Sequence, residues 1–258
     1  NGPRDDVSRR LRGDFSYLGG TVRPVTLIVA LDVPDAASAR SLVETLGDSC
    51  DFYKVGLELF TAEGPPIVGW LRDQGKRVFV DLKLHDIPNT VRSAARSVAR
   101  HGASLLTVHA SGGSAMIRAA VEGASEGGAA GRPPCGILGV TVLTSLDAAS
   151  LGQTWGREVA DVEAEVLRLA GLARDGGAVG IVCSGHEAAA ARAAYGEQLG
   201  LLVPGIRLPG GESHDQRRVM TPVAAAEAGA RWLILGRAVT SAADPAATMA
   251  DVRAALPR

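Results

Sequence analysis

From residue 25 onward, short runs of Val, Ile and Leu alternate with longer segments in which alanine and polar residues recur at helical spacing. The apolar runs at 25–31, 52–55, 77–82, 104–108, 137–143, 178–183, 201–203 and 232–235 read as strands. Most are continuously apolar, the pattern of parallel strands covered on both faces. Between them, 36–46, 91–101, 114–125, 159–174, 186–194 and 222–228 read as helices. Asn89 or Thr90, Ser184 and Thr221 stand where N-caps would stand, the last of them followed by Pro222. Eight strands, each followed by something helical, fit a single-domain α/β chain closed into a (β/α)8 TIM barrel over 25–258. No GxGxxG follows the first strand, so a dinucleotide-binding open sheet lacks its main signal. The Gly/Ala/Pro stretch 123–134 reads as a surface loop, and the arginine-rich segment 1–24 as a flexible N-terminal arm without the apolar core of a secretory signal.

Composition narrows the class without naming a chemistry. The chain has 258 residues, Lys+Arg 27 against Asp+Glu 28 and a formal net charge of -1, so the basic surplus of a nucleic-acid binder is missing. No run approaches the roughly 20 apolar residues that span a bilayer. Cys50, Cys135 and Cys183 lie far apart, with no CxxC or Cys/His cluster, and fit reduced thiols in a cytoplasmic protein better than disulfides or zinc ligands. Only Lys54, Lys76 and Lys83 are lysines; every other basic residue is arginine. Those three positions are the first places to look for chemistry that a guanidinium cannot perform.

In a barrel, functional residues sit at the C-terminal strand ends. Asp32, Lys54, Asp81, Lys83, His109, Thr144, Ser184, Arg207 and Arg237 fall there. Lys76, before the third strand, belongs to the opposite face and reads as solvated. The densest segment runs from Asp81 to Thr90, DLKLHDIPNT. Residues two apart in a strand share a face, which turns Asp81 and Lys83 together toward the mouth, with Lys54 beside them and Asp86 on the following loop. Carboxylates on either side favour a charged ammonium, which suits a proton donor or electrophile and argues against a Schiff-base lysine.

DLKLHDIPNT resembles the signature of the orotidine 5′-phosphate decarboxylase family, in its bacterial branch. Matching segments follow in order, among them Tyr53-Lys54-Val55-Gly56, Thr107-Val108-His109-Ala110-Ser111-Gly112-Gly113, Pro204-Gly205-Ile206-Arg207 and Leu235-Gly236-Arg237, and together they span nearly the whole chain outside the arm. The resemblance implies decarboxylation of orotidine 5′-phosphate to UMP in pyrimidine biosynthesis, with no metal and no organic cofactor. It implies Lys83 as proton donor to the C6 carbanion, and Asp81, Asp86 and Lys54 as the rest of the charged network. Asp32 and Lys54 match ribose contacts, joined by Thr90 from the partner chain, and Ile87 is a further expected substrate-binding residue. Thr144 and Ser145 match the pyrimidine contacts, Arg207, Gly236 and Arg237 the phosphate end, Gln216 a bridge between phosphate and base, and Pro204 is a further expected substrate-binding residue. The resemblance further implies a homodimer in which Asp86 and Thr90 reach the partner's site.

The phosphate end is also readable without the resemblance, because barrel phosphate sites commonly follow strands seven and eight, where Arg207 and Gly236-Arg237 stand. Pro209, Gly210 and Gly211 give the loop 208–215 the freedom to close. Two alternatives compete. A Mg2+-dependent phosphosugar decarboxylase or aldolase of the same superfamily shares Asp-x-Lys-x-x-Asp but needs further oxygen ligands. A non-catalytic nucleotide-phosphate sensor would have no need of both Asp81 and Lys83.

Overall fold

A computed structural model describes residues 24–129, 131–208 and 220–257. In chain order the elements are β1 (Thr26–Leu31), α1 (Ala36–Leu46), β2 (Phe52–Gly56), α2 (Leu57–Glu63), α3 (Pro66–Asp73), β3 (Arg77–Leu84), α4 (Pro88–Arg100), β4 (Leu105–His109), α5 (Gly113–Gly127), β5 (Gly136–Val140), α6 (Ala148–Trp155), α7 (Val162–Asp175), β6 (Gly180–Val182), α8 (Gly185–Tyr195), β7 (Gly200–Val203), α9 (Pro222–Glu227), β8 (Trp232–Leu235), α10 (Arg237–Thr240) and α11 (Pro245–Ala255). All eight strands pair in parallel with their sequence neighbours, and β8 returns to β1. The chain is therefore a closed (β/α)8 barrel.

Continuous apolar strands divide their side chains between two cores. Leu27, Val29 and Leu31 belong to the large cluster shared with the helices. Ile28 and Ala30 alternate with them and join Phe52, Phe79, Leu105, Leu138, Leu202, Trp232 and Ile234 in a second cluster that fills the barrel. Gly180 and Gly200 stand in the positions of that inner set, and a Cβ on Gly200 would meet Trp232 Cη2 at 2.7 Å. Trp232, 4% exposed, occupies the volume Gly200 leaves, while a Cβ on Gly180 would run into the Gly200 carbonyl.

Several elements depart from the sequence reading. The helix after β3 begins at Pro88 with Ile87 as N-cap, not at Asn89 or Thr90, because proline's fixed φ suits the first helical position. Ser184 and Thr221 do cap their helices, accepting from His186 N–H and Ala224 N–H. β5 stops at Val140: the Thr141 hydroxyl donates to Val182 O at 2.7 Å, and the chain peels away over the mouth. The stretch 159–174 starts its helix only after Asp161, which accepts from Glu163 N–H. The short helices α2, α3, α6 and α10 carry too few turns to show a period, and α11, 11 residues long, was missed because its Ala-rich sequence buries only Met249 and Val252. Part of 123–134 is helix, since Gly123 and Gly127 lie on α5, where a Cβ would run into the Arg92 and Arg96 carbonyls of α4. Lys76 is half-buried and donates to Gly47 O at 2.7 Å and Cys50 O at 3.0 Å, so it ties down a turn instead of resting in solvent. Of the proposed arm, all but Pro24 lies outside the described residues.

Glycine substitutions separate packing from propensity. Gly200→Ala should lower unfolding free energy in urea by about 1–3 kcal/mol, the usual effect of overpacking a core. Gly69→Ala on α3, with nothing within 4 Å of the added Cβ, should instead raise it by about 0.5–1 kcal/mol.

Candidate active site

Four charged side chains meet where β1, β2 and β3 end. Ala30, Lys54 and Phe79 share one row of the barrel, which brings Asp32 and Asp81 to either side of Lys54. Lys54 Nζ lies 2.7 Å from Asp32 Oδ1 and 3.9 Å from Asp81 Oδ2. Lys83 Nζ lies 3.0 Å from the same Asp81 oxygen. The Lys54 and Asp81 side chains are 10% and 14% exposed, so the middle of this chain of two positive and two negative groups is withdrawn from water. Asp32, 61% exposed, forms its outer end.

The backbone at Lys83 explains how two lysines reach one carboxylate. The β3–β4 register shifts between Val80 and Leu84, and Lys83 has φ 51, the only positive φ among described residues other than glycine. Such a left-handed residue costs roughly 1–2 kcal/mol, and it is held here by hydrogen bonds. Lys83 N–H donates to Thr107 Oγ1 at 2.9 Å, and that hydroxyl donates to Asp81 Oδ1 at 2.8 Å. The sequence reading placed Thr107 in a matched segment and gave it no role. Its position two residues beyond Leu105, on the strand next to Asp81, was the available signal.

A cavity of about 470 Å³ opens beside this network. It brings together Asp32, Lys54, Asp81, Lys83, Thr144, Pro204, Arg207, Gly236 and Arg237. Its floor is apolar, with Phe79, Val140, Val182, Leu202 and Ile234 between the two charged ends, a wall the sequence reading did not assign. Arg207 follows β7, where its N–H donates to Met220 O at 3.0 Å, and Arg237 opens α10 after Gly236. Other expected residues are not on this wall. Ser145 is exposed beyond it, and Gln216 lies outside the described residues. Asp86, Ile87 and Thr90 stand exposed on the segment leaving β3, where Asp86 Oδ1 accepts from Ile87 N–H at 2.6 Å. Within one chain the alternating charge is thus Asp32–Lys54–Asp81–Lys83, and Asp86 is not a member.

Behind Lys83 the His85 and His109 rings sit 5.4 Å apart, tilted by 40°. Burial holds the His109 imidazole below its ordinary pKa, reinforced by His85 and Lys83 and opposed by Asp81. A neutral ring there adds no further positive charge to the network.

Comparison with known proteins gives one consistent result. The family model described as Orotidine 5′-phosphate decarboxylase / HUMPS family matches residues 26–252. Orotidine 5′-phosphate decarboxylase of Moorella thermoacetica is 48% identical over 229 residues, covering 88% of this chain and 90% of that protein. Its counterpart in Anaeromyxobacter dehalogenans is 50% identical over 230 residues, covering 89% and 97%. A crystal structure of orotidine 5′-phosphate decarboxylase from Lactobacillus acidophilus matches with a TM-score of 0.80 at 37% identity, over 90% of this chain and 98% of that one.

The His109 environment makes stability depend on pH. Its folded pKa is lowered, so the unfolded chain takes up the proton first and stability falls as pH drops below about 6.5. Urea midpoints from about pH 7.5 to about pH 5.5 should decline, and His109→Asn should flatten that decline. An unchanged slope in the variant would remove His109 as its source.

Proposed function

The chain belongs to the orotidine 5′-phosphate decarboxylase / HUMPS family, and on that premise we propose that its cavity converts orotidine 5′-phosphate to UMP and CO2 in pyrimidine biosynthesis. The observation that carries this reading is the order of strand ends around the mouth. Arginines follow β7 and β8, Asp32 and Lys54 follow on β1 and β2, and Asp81 with Lys83 ends the series on β3. A nucleotide monophosphate laid along that arc meets cations at its phosphate, a carboxylate and an ammonium at its ribose hydroxyls, and the Asp–Lys pair at its base. The apolar floor takes the pyrimidine face, and Thr144 on the loop after β5 faces its polar edge. The volume lies in the ordinary range of small-molecule sites.

On this assignment the C6–carboxylate bond breaks, CO2 departs and the electron pair remains on C6. Lys83 gives that carbon a proton and is left as an amine, which water recharges. Before the transfer, its ammonium lies beside the developing negative charge, and Asp81 holds it there in advance. Stabilisation that exists before the charge develops needs no reorganisation during the reaction. Binding of the remote phosphate by Arg207 and Arg237 then helps fix C6 against Lys83. Asp32 and Asp81 already face ammonium groups, which supports a role in placing lysines over one in binding Mg2+. The sensor reading gives no account of a strained lysine aimed into the cavity.

We assign Asp86 and Thr90 to the site of a second copy, which makes the protein a homodimer. Ile87 between them is 67% exposed in the single chain, a large apolar side chain beside a charged mouth and a natural candidate for burial by a partner. Cys50, Cys135 and Cys183 are buried, which suits reduced cysteines in a cytoplasmic setting; no helix among the described residues is long and apolar enough to cross a membrane.

Following the loss of orotidine 5′-phosphate absorbance should show turnover that persists in EDTA, whereas none from folded protein would end the assignment. Lys83→Ala should retain nucleotide binding and lose at least about a thousandfold in kcat. Mixing Lys83→Ala with Asp86→Asn chains, each nearly inactive alone, should restore about a quarter of wild-type activity if sites are shared across a twofold dimer. No recovery after subunit exchange would place Asp86 outside the partner's site.

A further inference from the structure

We propose that Thr107 is the positioning residue that aims the Lys83 ammonium, through a closed circuit of hydrogen bonds that fixes the lysine at both its backbone and its tip. The functional meaning of this circuit rests on the decarboxylase reading; its existence does not.

Hydrogen-bond chemistry sets the direction of every link. Lys83 N–H has no acceptor capacity, so Thr107 Oγ1 must accept at 2.9 Å. A threonine hydroxyl has one proton, and the ionised Asp81 carboxylate can only accept, so that proton goes to Asp81 Oδ1 at 2.8 Å. With Oδ1 occupied, Asp81 presents Oδ2 to the ammonium groups, at 3.0 Å from Lys83 Nζ and 3.9 Å from Lys54 Nζ. Lys83 is thereby tied to Asp81 directly through its Nζ and indirectly through its own N–H.

Two structural facts make the hydroxyl necessary. The β3–β4 register slips between Val80 and Leu84, which removes the Lys83 N–H from the regular ladder and leaves Thr107 as its partner. Thr107 is fully buried, so no solvent replaces the hydroxyl if it is lost. It also does not line the cavity, and its effect must reach substrate through Lys83 and Asp81. A loss of Thr107 should therefore change the rate of the chemical step and leave substrate binding nearly intact.

The test uses Thr107→Val, which keeps the shape and removes the hydroxyl, and Thr107→Ser, which keeps the hydroxyl. In the full chain, Thr107→Val should lose about a hundredfold in kcat with KM changed less than about threefold, while Thr107→Ser stays within about threefold of wild type. If Thr107→Val fails to fold, Thr107→Ala against Thr107→Ser decides, because both lose the methyl and differ only in the hydroxyl. An activity-independent readout comes from lysine labelled with 13C at Cε, which gives only three signals because the chain has only Lys54, Lys76 and Lys83. The Lys83 signal should move in Thr107→Val, the Lys76 signal should not, and serine should restore the wild-type position. Near-normal kcat in the hydroxyl-free variant, equal impairment in Thr107→Ser, or an unmoved Lys83 signal would each overturn the proposal. Absence of turnover in the wild-type protein would instead overturn the decarboxylase reading, with the lysine signals still deciding Thr107.

Discussion

One carboxylate oxygen, Asp81 Oδ2, stands within 4 Å of both ammonium groups at the mouth of the barrel. Withdrawing such charges from water is unfavourable, and an ion pair in a low-dielectric setting does not by itself recover that penalty. What makes the arrangement tenable is the saturation of its polar atoms. Asp81 Oδ1 is bound by Thr107, Lys54 is shared with Asp32, and the exposed end of the chain of charges reaches solvent at Asp32.

The barrel converts that local constraint into a working geometry. Parallel neighbours place residues of adjacent strands side by side, so Lys54 stands in register between Ala30 and Phe79 without any long loop to hold it. The floor under the charges is the top of the inner core, and its lower layers are filled by Trp232 over Gly200. The apolar floor offers Lys83 and Asp81 no other polar partner. It also excludes water from their inner side, which strengthens their field in the cavity.

Much of this was legible in the sequence, for identifiable reasons. Parallel strands announce themselves as continuous apolar runs, so all eight were visible. Their ends were less so: β5 stops at Val140, where Thr141 binds Val182 O through both its N–H and its hydroxyl, a contact that no hydropathy pattern records. The Asp81–Lys83 pairing followed from the period of a strand, yet the two do not share a face through regular alternation. They meet across a bulge in which Lys83 adopts a left-handed conformation, and nothing in DLKLHD encodes that. Thr107 escaped notice because one threonine in an apolar strand is unremarkable until its neighbour is known. Asp86 illustrates a different limit: its place in a charged run did not reveal that within one chain it stands exposed, off the cavity wall.

The scarcity of lysine carries meaning at all three positions. At the opposite end of the barrel from the site, Lys76 Nζ gathers the Gly47 and Cys50 carbonyls at a single point. Lys54 does the same for two carboxylates, and Lys83 folds back to Asp81 only two residues away. Each is a task for a compact ammonium whose donors radiate from one atom. Some arginines in this chain do something else: Arg40, Arg77 and Arg231 lie 5.2, 4.5 and 4.6 Å from the ring centres of Trp70, Phe52 and Trp232. A flat guanidinium suits stacking on a ring but spreads its donors over a plane, and it cannot deliver a proton near neutral pH. Replacing any of the three lysines by arginine would therefore preserve charge and lose the convergence, so the composition of the chain and the geometry of its site express one constraint.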